Sequence, residues 1–92
     1  MGVICLKLLD KIETFITLAE CRSFTETAKR LYCSQPTITT HIQQLEEQFQ
    51  SILFLRTGKK VQLTKQGEVL LEYAKQMTNL VQEAAIKVKS AD

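Results

Sequence analysis

The sequence is poor in residues that break regular structure, with one Pro and three Gly among 92 residues, and it has no Trp and a single His. So few breakers, beside 45% hydrophobic and 24% charged residues, exclude a loop-rich or disordered chain and fit one helical globular domain. The three Cys form no C-x-x-C pair, so a disulfide framework is not expected and reduced thiols in the cytoplasm are the simpler reading. A zinc site would have to join Cys5, Cys21, Cys33 and His41, whose gaps of 16, 12 and 8 residues lack the paired short spacings of structural zinc, so no metal is expected. No Gly-rich phosphate loop, nucleophile motif or acid pair accompanies the lone His, which leaves an enzyme and a cofactor without support. No apolar run is long enough for a membrane helix. The apolar start at residues 3–9 is broken by Lys7 and followed by Asp10 and Lys11, unlike a signal peptide.

What is present is helical rhythm. Leu8, Ile12, Phe15, Ile16 and Ala19 recur at the spacing of one buried stripe, predicting a first helix over residues 8–21. Ser23 followed by Glu26 reads as a capping box, opening a second helix over residues 24–32 with Phe24, Ala28 and Leu31 inward. Ser34 or Gln35 then caps a third helix, with Pro36 tolerated in its first turn. Ile38, Ile42, Leu45 and Phe49 give this third helix its apolar stripe, and it is expected to read from residue 35 to residue 49 or 50. The period changes over residues 53–63, where two short apolar runs flank Thr57-Gly58-Lys59-Lys60, a hairpin with a basic tip. Thr64 caps a last helix running to about Lys89. In it Leu70, Ala74, Met77, Val81, Ala84 and Val88 alternate steps of four and three, a heptad-like seam suited to pairing with a second copy of the chain.

Two helices joined by a tight turn, followed by a hairpin, describe a mainly α winged helix-turn-helix. The expected division is a DNA-binding unit at residues 1–63 and a linker or dimerisation helix at residues 64–92. Placing the third helix's stripe inward points Pro36, Thr37, Thr40, Gln43 and Gln44 outward, all uncharged. Gln bonds adenine through two hydrogen bonds and Thr contacts the thymine methyl, so such a face can read base edges in a major groove. Residues 53–67 carry Arg56, Lys59, Lys60 and Lys65 without any acid, a local charge of +4 within a chain of net charge +2. In the hairpin, Arg56, Lys59 and Lys60 are placed to grip phosphates beside the groove. The helix start near Ser34 and Gln35 adds a positive dipole end.

These residues resemble the N-terminal domain of the LysR-type transcriptional regulators over nearly the whole chain, residues 8–85. The motifs that carry the likeness are Ser23-Phe24-Thr25 with Ala28 and Leu31, Ser34-Gln35-Pro36-Thr37-Ile38-Thr39, Leu45-Glu46, Leu53-Phe54, Arg56-Thr57-Gly58, and Leu63-Thr64 with Gly67. The resemblance implies a linker helix that dimerises antiparallel and a double-stranded DNA site with interrupted two-fold symmetry. It also implies base or backbone contacts from Gln35, Pro36, Thr37 and Thr40, a hydroxyl near phosphate at Thr39, and a residue near the minor groove at Arg56. Thr40 and Gln43 depart from the family, which frequently has Arg there, and Gln50 replaces a usual Gly, so the exit turn of the third helix is expected to differ. The resemblance further implies a longer regulator whose effector-binding domain is not part of this sequence; a genuinely short protein is the alternative. Two other readings stand beside it: a winged-helix module that binds protein rather than DNA, for which the uncharged Thr40 and Gln43 speak, and an enzyme, for which nothing does.

Overall fold

In the computed structural model, residues 2–58 and 60–91 are described, those up to residue 7 as backbone only. Lys59 lies outside the described residues. The element order is α1 (Gly2–Cys21), α2 (Phe24–Arg30), α3 (Gln35–Gln48), β1 (Phe54–Thr57), β2 (Lys60–Leu63) and α4 (Lys65–Ser90). The mainly α winged helix-turn-helix with a long last helix is thus what the chain forms. Its first helix starts at Gly2 rather than Leu8, and α2 stops at Arg30 rather than Tyr32.

Helices α2, α3 and α4 are each started by the local chemistry their sequence supplies. The Ser23 hydroxyl accepts from the Glu26 N–H at 3.0 Å, Ser34 from Thr37 N–H at 3.3 Å, and Thr64 from Gly67 N–H at 3.0 Å. Only half of the expected capping box forms: the Glu26 carboxylate accepts instead from Arg30 Nε, one turn along its own helix, at 3.2 Å.

The stops are less conventional. After α2 and after α3 the chain turns through a left-handed residue, Tyr32 at φ 55° and Gln50 at φ 49°. In both, the next two N–H groups return to carbonyls of the last turn: Tyr32 to Lys29 and Cys33 to Ala28, Gln50 to Glu47 and Ser51 to Glu46. This double bond pattern satisfies carbonyls that a helix end leaves orphaned. The exit from α3 therefore keeps the left-handed turn that Gly favours, contrary to the expectation that Gln50 changes it.

One core joins all the elements. Ile12, Phe15, Leu18 and Ala19 of α1 meet Phe24 and Ala28 of α2, Ile38, Ile42 and Leu45 of α3, Leu53, Phe54 and Val61 of the wing, and Leu70 and Ala74 of α4. The Phe15 and Phe54 rings tie helix to wing, with centroids 5.3 Å apart. Two buried hydroxyls are satisfied: Thr27 donates to Ser23 O at 2.7 Å, and Thr14 shares a 2.9 Å hydrogen bond with His41 Nδ1.

The expected stripe of α3 needs one correction. Ile38, Ile42 and Leu45 are buried, but Phe49 is 41% exposed, because it is the cap residue just beyond the end of the helix at Gln48 and past the last turn that packs on the core.

Two strands in antiparallel register, Phe54 opposite Leu63 through Thr57 opposite Lys60, form the wing, and Gly58 at φ 63° takes its tight corner. Two side chains fasten it. The Glu46 carboxylate accepts from the Leu53 N–H at 2.8 Å and the Phe54 N–H at 3.4 Å. The Thr64 hydroxyl donates to Ile52 O at 2.6 Å. Gly67 permits this closeness, since a Cβ there would lie 2.3 Å from Leu53 O and 2.7 Å from Leu63 Cδ2.

Candidate nucleic-acid interface

With Ile38, Ile42 and Leu45 anchored in the core, the opposite side of α3 is fixed as a solvent face. Gln35, Pro36, Thr40, Gln43 and Gln44 are exposed on it. Thr37, expected fully outward, is half-buried, and its hydroxyl shares a 2.9 Å hydrogen bond with Ser34, the helix cap. Thr39 is also half-buried and turned toward the wing.

Clefts on both flanks of α3 bring other elements to this face. On one flank a cleft of about 380 Å³ joins Pro36, Thr37, Thr40 and Gln44 to Asp10, Lys11 and His41. Burial holds the His41 imidazole below the ordinary histidine value, with Lys11 acting in the same direction and Asp10 against it. On the other flank Thr39 and Gln43 share a cleft with Phe24, Glu46, Phe54 and Arg56. The Arg56 guanidinium lies 3.8 Å above the centre of the Phe24 ring. This stacking holds the wing cation against the helix-turn-helix, where a planar, preorganised guanidinium loses little freedom on meeting a phosphate. Lys60, across the hairpin, is exposed.

The expected helix and wing residues are therefore neighbours on one side of the molecule, Lys59 aside. Sequence reading gave no site role to Asp10 and Lys11, in the cleft with Thr40 and Gln44, or to Arg22, in a further cleft with Gln35, Arg56 and Lys60, because nothing local says which helix flank a distant charge will meet. It quoted Glu46 in a motif but gave it no role, whereas its carboxylate serves the wing's backbone. Among the described residues, no three of His, Cys, Asp and Glu come together as a metal would require, and no helix is long and apolar enough to cross a membrane.

A second surface lies on α4. Leu70 and Ala74, expected to face a partner chain, are buried in this one, Ala74 completely, because the first half of the helix packs on α1. Of the other expected seam residues, Met77 is half-buried and Val81, Ala84 and Val88 are exposed, and the exposed Val69, Tyr73 and Leu80 extend this apolar face. Its first half borders an apolar groove of about 420 Å³ that Phe49 and Leu53 also line. Here the exposed Phe49 finds its neighbours.

Comparison with known proteins adds three findings. Residues 9–68 match the model of the bacterial regulatory helix-turn-helix proteins of the lysR family. The chain is 42% identical to an uncharacterised HTH-type transcriptional regulator, YxjO of Bacillus subtilis (strain 168), over 87% of this chain and 28% of that protein. It is 46% identical to the HTH-type transcriptional regulator CitR of the same organism, over 68% of this chain and 22% of that one. The chain thus spans about a quarter of the length of these curated relatives. Among solved structures it is similar to the CbnR DNA-binding domain in complex with DNA, with a TM-score of 0.86 and 30% identity over 89% of this chain and 94% of that one. The BenM DNA-binding domain on benA site 1 DNA gives a TM-score of 0.80 and 31% identity over 90% and 98%.

Proposed function

Because the chain belongs to the lysR family of bacterial regulatory helix-turn-helix proteins, we propose that it is a sequence-specific double-stranded DNA-binding unit of a transcription regulator, acting in the cytoplasm without catalysis or cofactor. The observation that carries the reading is the exposed, uncharged polar face of α3, seated on the buried stripe of Ile38, Ile42 and Leu45 and flanked by the cations of the wing.

In this reading α3 enters the major groove from its N-terminal end. Gln43 and Gln44 offer paired donors and acceptors to base edges, and Thr40 and Pro36 offer apolar contact to thymine methyls. Gln35, Thr37 and Thr39 lie nearest the helix start and the wing, where backbone contacts are made, and Ser34 holds the helix entry. Arg56, Lys59 and Lys60 take phosphates beside the groove, Arg56 toward the minor groove. Glu46 and Glu47 lie at the far end, away from the entering phosphates.

Residues 64–92 pair two copies through the face of Val69, Tyr73, Met77, Leu80, Val81, Ala84 and Val88. An antiparallel pair lays the free half of one helix along the groove beside the docked half of the other, covering both grooves at once. Two reading units related by a two-fold axis then call for a site with interrupted two-fold symmetry. An effector-binding domain elsewhere in the full regulator belongs to the same reading.

The test separates reading from gripping. Gln43→Ala and Thr40→Ala should lower affinity for a selected duplex while leaving affinity for scrambled duplex unchanged, each lost base contact costing about 1–3 kcal/mol. Lys60→Ala should weaken both duplexes alike and flatten the salt dependence. Equal loss on both duplexes from the α3 changes would remove α3 as the reader.

A further inference from the structure

We propose that the cleft between the α1–α2 corner and the wing seats one backbone phosphodiester of the duplex, held by Arg22 together with Arg56 and Lys60. The inference rests on the DNA-binding function above and extends it to a residue outside the helix and wing set.

The cleft has a volume of about 340 Å³ and brings Arg22, Arg56 and Lys60 together with the neutral polar Ser23, Thr25 and Gln35, and with no carboxylate. Three cations drawn from two separate elements repel one another unless an anion lies between them. Among the described residues two cations are paired, Arg30 with Glu26 at 3.2 Å and Lys87 with Glu83 at 3.8 Å. Among the described residues neither ion pair involves the cleft. Arg56 stands in the wall common to this cleft and the one that holds Thr39 and Gln43, fixed there by its stacking on Phe24. Gln35, the first residue of α3, lines the cleft as well. An anion seated here lies at the entry end of the reading helix, where the backbone bordering a filled major groove must pass. A phosphodiester oxygen accepts hydrogen bonds from two guanidinium groups without any proton transfer, and its charge offsets the repulsion among the three cations.

Arg22 sits in the left-handed region, φ 56°, with its N–H bonded to Leu18 O at 2.7 Å. Glycine adopts that conformation at lower cost. Arg22→Gly therefore removes the charge while preserving the corner, which denaturant titration checks through a midpoint equal to or above that of the native chain.

The measurement is anisotropy of a selected and a scrambled duplex across a salt series, with the 92-residue chain, Arg22→Gly and Arg22→Lys. The seat predicts that Arg22→Gly lowers the log–log salt slope by about 0.9 per protomer, equally on both duplexes, and that Arg22→Lys retains the slope. A native slope in Arg22→Gly overturns the seat and leaves the DNA reading standing. A native chain that binds neither duplex removes both. Inorganic phosphate is titrated in at constant ionic strength. A loss of duplex affinity that is larger for the native chain than for Arg22→Gly shows phosphate competing for the seat that the duplex occupies, which supports the assignment; an equal response of the two chains shows that the duplex does not occupy it, which overturns it.

Discussion

Over residues 65–77, α4 lies on the body of its own chain, with Leu70 and Ala74 in the core, Gly67 pressed against the Leu53 carbonyl and Thr64 bonded to Ile52 O. Over residues 79–91 every residue is exposed, including Leu80 at 63% and Val88 at 73%. Apolar residues recur at the same helical spacing in both halves. The difference teaches that spacing identifies an apolar face and leaves open what covers it. In the docked half it is α1; in the free half, by the account above, it is a second copy of the chain.

The largest effect expected from breaking this contrast is on stability. Leu70→Ala should cost about 2–5 kcal/mol by leaving a cavity, whereas Val88→Ala should stay within about 0.5 kcal/mol for the single chain. Urea titrations at one fixed low protein concentration compare the two, and equal costs would mean that the halves do not differ in burial. Next comes Gly67→Ala, whose Cβ has no room against backbone. It should cost about 1–3 kcal/mol, or more if the helix must move away from the wing. A neutral result would show that α4 does not lie so close.

A smaller effect, of opposite sign, sits on the loop against which α4 docks. Gln50→Gly relieves a left-handed side-chain conformation and should raise stability by up to about 1 kcal/mol, read as a higher urea midpoint. Val81→Glu on the free half should leave the single-chain unfolding free energy within about 0.5 kcal/mol of native. Its sedimentation should nonetheless shift from dimer toward monomer; a dimer that persists would put the interface elsewhere.

The smallest effect is a control away from α4. Burial lowers the His41 pKa in the folded state, so the unfolded chain binds the proton more readily. Stability is then complete above the ordinary histidine value of about 6.5 and declines as pH falls below it. His41→Gln should flatten that decline, and an unchanged pH profile would show that His41 is not the group responsible.

Features decided by neighbours in the chain were legible in the sequence. Ser23, Ser34 and Thr64 cap as their positions suggest, because a cap needs only the next three residues, and Pro36 marks the start of α3 for the same reason. The stripe of Ile38, Ile42 and Leu45 was legible, and with it the polar face opposite. Phe49 was misread because periodicity continues past the residue where a helix stops, and Gln50 gave no glycine signal for a turn that is left-handed all the same. The stacking of Arg56 on Phe24, the approach of Arg22 to the wing and the burial of Leu70 and Ala74 all join residues distant in the chain. Their distances follow from how elements pack, which no local pattern records.

The measurement closest to the central claim is selection from a random-sequence duplex pool. Anisotropy follows binding of the intact chain at two salt concentrations, and the bound fraction is sequenced. The account predicts enrichment of a site with interrupted two-fold symmetry and an affinity that falls steeply as salt rises. Binding that stays at background in low salt, or that enriches no sequence, would contradict it.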